Sequence, residues 1–246
     1  MLKAKITGVG WVNARGAGCG REGQFQTGED GPLPKLSRRD VFLRPFPRFG
    51  KMDSYSRLGA SAISFALRDA GLGEWTDTRE IAIIASTVYG CLNADEDYYD
   101  TITPVGGRLA SPNLFVYALP NTYLGEAAIH FGLTGPSFVL CESELSGLRG
   151  MSMAISSIAS GEYETVIAGI CDAGAPPFLA MIGKSVPGAL FLVLQEETLA
   201  GPSPYGTLVE DGSGAIFFNG KRVEDLNNLA GMCTDMQTRK GDSKDK

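Results

Sequence analysis

Two carboxylates, Glu142 and Glu144, stand in the turn CESELSG (141–147), between the apolar run SFVLC (137–141) and a stretch without a charge from Gly150 to Gly161. An acid so placed has two possible uses. In the first turn of a helix capped by Ser143, Glu144 complements the positive end of the helix dipole, a contribution of about 0.3 to 1 kcal/mol that involves no chemistry. Facing a pocket, the same side chain can hold or deliver a proton. The sequence leaves both readings open.

Other reactive groups are sparse. His130 is the only histidine, and nothing near it pairs with it as acid, base or ligand, so it reads as structural. Cys19, Cys91, Cys141, Cys171 and Cys233 are scattered without CxxC or histidine spacing, which suggests reduced thiols, with neither a disulfide framework nor a metal site. Gly18, Gly20 and Gly23 match GxGxxG, yet QFQTGEDGPLP follows. That segment cannot open the helix whose N-terminus would hold a phosphate, so no nucleotide site is expected.

Composition narrows the partners. The 246 residues carry a net charge of −6 and a pI near 4.9, against a nucleic-acid binder. Seven of the 22 basic residues nevertheless fall between residues 35 and 57: Lys35, Arg38, Arg39, Arg44, Arg48, Lys51 and Arg57. Such clustering suits docking of an acidic partner, or is ordinary solvated loop charge. The longest apolar run, VPGALFLVL (186–194), is far short of the roughly 20 residues a membrane span needs. The opening MLKAKITGVG lacks a signal-peptide core, and a cytoplasmic location is expected.

The elements that must position these groups alternate. Strands are predicted at 3–12, 80–87, 137–141, 164–173, 189–197 and 214–219. Helices are predicted after Asp53 or Ser54 up to Gly71, from about Asn93 to Ile102, from Tyr123 to Phe131, and through the charge-free stretch. This order implies an α/β domain, a mixed sheet of about five strands covered by helices, over residues 1–220. Residues 221–246 read as a polar, partly disordered tail. Because Leu148, Met151, Met153, Ile155 and Ile158 spread around its whole circumference, the charge-free helix is expected to be buried on all sides. A second polypeptide would have to supply part of that cover, unless segments 12–50 and 174–188 fold back over it.

A resemblance runs through these segments. ALPNTYLGEAAIHFGLTGPSFVLCESELSGLRGMSMAISSIASGEYETVIAGICDA resembles the centre of the β-ketoacyl-acyl-carrier-protein synthase family, which has the thiolase fold: a helix and FGLTGP-type turn, a strand, a nucleophile turn, a buried helix and a VIAG-type strand. KMDSYSRLGASAISFALRDAGL is similar to the family's MDR(F/Y)-type helix and ITGVGWV to its first strand. The likeness spans about residues 3 to 220 and implies a thiolase-like half fold.

Counting from Gly135 and Pro136, it puts Glu144 where the family has its nucleophilic cysteine, with CESE in place of a pattern like STAC; Cys141 falls three residues early. A carboxylate cannot hold an acyl chain as a thiolate does. The family's two catalytic histidines and its lysine belong to a second thiolase half that these residues do not contain. The resemblance therefore implies a non-condensing, ketosynthase-like subunit similar to chain-length factors. It would act with acyl carrier protein, whose phosphopantetheine carries the substrate, as a homodimer or as a heterodimer with a full-length ketosynthase, with no bound cofactor of its own. The alternative is a malonyl-acyl-carrier-protein decarboxylase. There Glu144 would protonate the enolate, and Ser143, Ser146, Asn121 and Thr122 would offer donors around the thioester carbonyl.

Overall fold

The computed structural model describes residues 1–29, 31–179, 186–199 and 201–242. Its strands are β1 (Leu2–Asn13), β2 (Gly16–Cys19), β3 (Ala82–Thr87), β4 (Ser137–Cys141), β5 (Thr165–Asp172), β6 (Gly188–Gln195), β7 (Gly206–Glu210), β8 (Ile216–Phe218) and β9 (Lys221–Arg222). The helices are α1 (Arg38–Val41), α2 (Ser54–Asp69), α3 (Leu92–Ile102), α4 (Pro112–Phe115), α5 (Thr122–Phe131), α6 (Leu148–Ala159) and α7 (Leu226–Asp242). All nine strands join one sheet in the order β4-β3-β5-β6-β1-β7-β8-β9, with β2 paired to part of β1. This is the mixed sheet expected, with more strands than the five foreseen. Strands β4, β3 and β5 run parallel, and the rest pair antiparallel.

The sheet is buried on both faces, and strand alternation divides its residues between two cores. Ile83, Ala85, Ile167 and Cys171 face one layer with α2 and α5. Ala82, Ile84, Val166, Ala168 and Ile170 face the other, with α6 and α7. Helix α2 is set as its sequence suggests: Asp53 caps it by accepting from the backbone N–H groups of Ser56 (3.0 Å) and Tyr55 (3.2 Å). It lies so close to β1 that a Cβ on Gly10 would stand 2.1 Å from the Ala66 nitrogen, and one on Gly8 2.3 Å from the Ala66 oxygen. The glycines of ITGVGWV are therefore a packing requirement. At its far end the buried Asp69 accepts from the Val9 N–H (2.8 Å), the Arg21 N–H (2.7 Å) and the Tyr205 hydroxyl (2.7 Å), tying helix, first strand and a late loop together.

Two expectations change here. The segment beyond residue 220 contains β9 and the 17-residue α7, and Leu226, Leu229, Ala230 and Cys233 of that helix are fully buried against α6 and the sheet. It is part of the core, because its apolar residues recur at i, i+3, i+4 and i+7 within an otherwise polar stretch. Helix α6 is also not covered on all sides within this chain. Gly150, Met151, Ala154, Ile155 and Ile158 are buried, whereas Arg149 is exposed and Met153 remains 42% exposed.

Candidate functional site

The parallel strands β4, β3 and β5 end side by side, and ligands of α/β sheets gather beyond such carboxyl ends. Three loops leave from there: Val88–Cys91 after β3, Glu142–Gly147 after β4 and Ala173 onward after β5. Asp172, the last residue of β5, is fully buried and locks two of them. Its carboxyl accepts from the Thr87 hydroxyl (3.2 Å) and from the N–H groups of Val88 (2.8 Å), Tyr89 (2.9 Å) and Gly174 (2.9 Å).

A cavity of about 400 Å³ opens at this end. Its apolar wall includes Phe25, Val88, Leu145, Ile170 and Leu190, and its polar lining includes Asn13, Thr27, Tyr89, Ser143, Glu144 and Asn227. Glu144 does not cap or open a helix, as one reading expected. Helix α6 begins at Leu148, its N-cap is Gly147 at φ 71°, and no side chain caps it. Ser143 is likewise outside the helix, and both residues are exposed in the connecting turn that lines the cavity. With four residues between them and the helix start, the dipole argument no longer accounts for the acid.

That turn is held by backbone. The Ser146 N–H donates to the Glu144 carbonyl (3.0 Å), and the Leu226 N–H at the start of α7 donates to the Ser146 carbonyl (3.1 Å). Gly147 is obligatory: besides its left-handed φ, a Cβ there would lie 2.6 Å from Ile170 and 2.8 Å from Leu226. The Ser146 hydroxyl accepts from the Leu148 N–H (3.4 Å) and does not line the cavity. Asn121 and Thr122 are not brought to the site either: Asn121 is the N-cap of α5 and Thr122 donates to the Val116 carbonyl (2.9 Å). Sequence reasoning missed Asn13, Thr27, Tyr89 and Asn227. They come from four separate segments, and only the α7 periodicity hinted at one of them.

None of the described thiols offers a thiolate at the cavity. Burial pushes Cys19 up to about 11 and Cys91 up to about 12, and holds Cys171 and Cys233 well above the ordinary thiol range. Cys141 is exposed at the end of β4, outside the cavity lining. Among the described residues no group of three or more His, Cys, Asp or Glu could hold a metal ion, and no helix is long and apolar enough to cross a membrane.

His130 sits in an aromatic cluster, stacked on Phe46 at 4.1 Å and edge-on to Phe42 and Trp75. Its Nε2 has no hydrogen-bond partner. Burial, helped by the nearby Arg44 cation, lowers its pKa from 6.5 to about 4. The folded state therefore binds fewer protons than the unfolded chain between those values, so stability attributable to His130 is present above pH 6.5 and is lost as pH falls toward 4. Urea midpoints measured across this window should fall less steeply for His130→Phe than for the parent; parallel curves would reject the linkage.

The cationic segment is exposed throughout. Arg38 and Arg39 lie on α1, and Lys51 and Arg57 flank the start of α2. Arg44 stacks over Trp75 at 4.3 Å, and Arg48 bridges the buried Glu126 at 2.7 Å.

The model of the β-ketoacyl synthase N-terminal domain matches residues 21–183. The chain belongs to that family. Among relatives of this β-ketoacyl synthase N-terminal domain protein, 3-oxoacyl-[acyl-carrier-protein] synthase 2 of Vibrio harveyi is 27% identical over 173 residues, 68% of this chain and 41% of that one. Putative polyketide beta-ketoacyl synthase 1 of Streptomyces virginiae is 28% identical over 102 residues, 39% of this chain and 24% of that protein. The chain thus spans less than half the length of these two relatives.

Solved structures agree in fold. A type II polyketide acyl-carrier protein in complex with its ketosynthase (AntDE:AntF) gives a TM-score of 0.67 at 20% identity, over 85% of this chain and 67% of that one. The ishigamide ketosynthase/chain length factor gives 0.66 at 14%, over 84% and 62%. The ketosynthase ApeO with its chain length factor ApeC from Xenorhabdus doucetiae gives 0.60 at 18%, over 80% of each chain. The thiolase-like ketosynthase fold is therefore present. The family match includes the turn that carries Glu144 and stops short of Asn227 and α7.

Proposed function

We propose that this chain is a non-condensing ketosynthase-like subunit that works beside an active condensing enzyme in fatty-acid or polyketide synthesis, in the manner of a chain-length factor. One observation carries the reading: the residue that the turn after β4 presents to the cavity is a carboxylate, and no described thiol lines that cavity. Condensation needs a nucleophile that is also a good leaving group, and Glu144 is not one.

Features of the surface support a partner. Strand β4 is a sheet edge with its outer hydrogen-bonding side unpaired. Nearby, on the excursion that follows α3 and on α5, Phe115 is 60% exposed, Leu119 61% and Ile129 77%. Open edges and exposed apolar side chains of this kind invite pairing with another chain. The exposed Arg38, Arg39, Arg44, Lys51 and Arg57 suit an acidic carrier protein, whose phosphopantetheine would deliver the acyl group, while Arg48 is partly neutralised by Glu126.

Reconstitution tests this reading. With acyl and malonyl carrier proteins, the chain alone should form no carbon–carbon bond, and adding it to a full-length ketosynthase should change the length of the products. Glu substitutions at Leu119 and Ile129 should abolish both the effect and co-elution of the two proteins. Absence of any effect together with no co-elution would reject the proposal.

The polar lining around Glu144 favours one second reading, malonyl-carrier-protein decarboxylation. Mass spectrometry would then find acetyl-carrier protein formed by the chain alone, and none formed by Glu144→Ala.

A further inference from the structure

The cavity also has a charge preference, and this inference rests on the reading that the chain handles acyl thioesters. At about 400 Å³ the cavity is of a size that holds a small ligand. Two of the polar groups near it are already committed to the fold. Asn13 donates to the Gln26 carbonyl (2.9 Å) and accepts from the Arg15 N–H (2.9 Å), and the Asp172 carboxyl is filled by its four donors.

Other lining groups are not. Glu144, Ser143, Tyr89 and Asn227 spend no side-chain hydrogen bond on another described residue. Among the described lining residues Glu144 is the only one with a charged side chain. A carboxylate offers acceptors and no donor, so its complement is an O–H or N–H on the ligand; a second carboxylate brought to the same apolar-walled space meets like charge at short range. The hydroxyls of Ser143 and Tyr89 and the amide of Asn227 can serve either role. The Leu226 N–H bond to the Ser146 carbonyl holds the first turn of α7 against the Glu144 loop, so the wall carrying Asn227 is supplied by this chain itself.

We propose that the cavity selects an uncharged acyl group bearing a hydroxyl or amide donor and turns away acyl groups that end in a carboxylate. The test is calorimetric titration of the whole chain with 3-hydroxybutyryl-pantetheine and with malonyl-pantetheine, repeated on Glu144→Gln. The hydroxyacyl thioester should bind about tenfold more tightly or better. Glu144→Gln should shrink the difference to about threefold or less, because the like charge is gone. Malonyl-pantetheine binding as tightly as the hydroxyacyl thioester, or a difference that survives Glu144→Gln, overturns the charge selection and leaves the acyl reading standing. If neither thioester binds either protein, the acyl reading itself fails, and the selection with it.

Discussion

Asp172→Ala is expected to lower the free energy of unfolding by about 3 to 5 kcal/mol and to slacken the cavity wall that includes Val88 and Tyr89. The reason is the number of donors that one side chain serves. Its two carboxyl oxygens take three backbone N–H groups and the Thr87 hydroxyl, all within 3.2 Å, at a position with no solvent exposure. Alanine leaves those donors without an acceptor, and each one kept from water costs about 1 to 3 kcal/mol. Water entering the half-buried turn at Val88 and Tyr89 offsets part of that sum. Asp172→Asn should fall between, since an amide keeps one acceptor but turns an N–H₂ toward a donor. Urea denaturation of the three proteins measures the series. A loss below about 1 kcal/mol for alanine would show that the clamp is not what holds the loops.

Gly10→Ala has the larger expected effect on the fold. The added methyl would lie 2.1 Å from the backbone nitrogen of Ala66 and 2.5 Å from the carbonyl oxygen of Ala62. No side chain can rotate away, so α2 must move off β1, opening a core in which Ala62 and Ala66 are fully buried. The cost should exceed about 4 kcal/mol, beyond what ordinary overpacking produces, and Gly10→Val should not yield folded protein. Gly50→Ala is the control, because nothing lies within 4 Å of its added carbon; it should change stability by no more than about 0.5 kcal/mol. Equal melting temperatures for the Gly10 and Gly50 variants would mean that helix and strand are not in the contact described.

The pattern of apolar residues was enough to place much of this architecture. SFVLC is β4, residue for residue. The Asp53 cap and the Gly71 stop bracket α2, and EIAIIAST and ETVIAGICDA contain β3 and β5. These segments are buried on both faces or strongly periodic, so local sequence and tertiary position agree. What was missed is short or disguised. Strand β7, GTLVE, follows a Gly/Pro loop and gains its place only by pairing with Leu2–Ile6 of β1. Helix α7 hides Leu226, Leu229, Ala230 and Cys233 among polar neighbours, so composition pointed to a tail where periodicity pointed to a helix.

The site divides in the same way. Glu144 and Ser143 were found because a single turn carries them. The expected helical start at Glu144 failed because Gly147, at φ 71°, lets the chain enter α6 only at Leu148. Asn13, Thr27, Tyr89 and Asn227 could not be grouped from sequence, since they meet only when β1, β3 and α7 have taken their places. Asn121 and Thr122 were drawn in by nearness along the chain to the FGLTGP turn, and their backbone leads them into α5 instead.

The sheet order has a consequence for how the molecule is made. The first strand to leave the ribosome, β1, lies between β6 and β7, which follow it by well over 150 residues. Until they emerge, its apolar residues have no lasting neighbours. Pairings so distant along the chain are slow to close and leave sticky edges exposed in the meantime. Synthesis of this protein should therefore depend on chaperones that shield the nascent amino-terminal ribbon, and any truncation ending before Glu210 should precipitate instead of giving a smaller soluble domain.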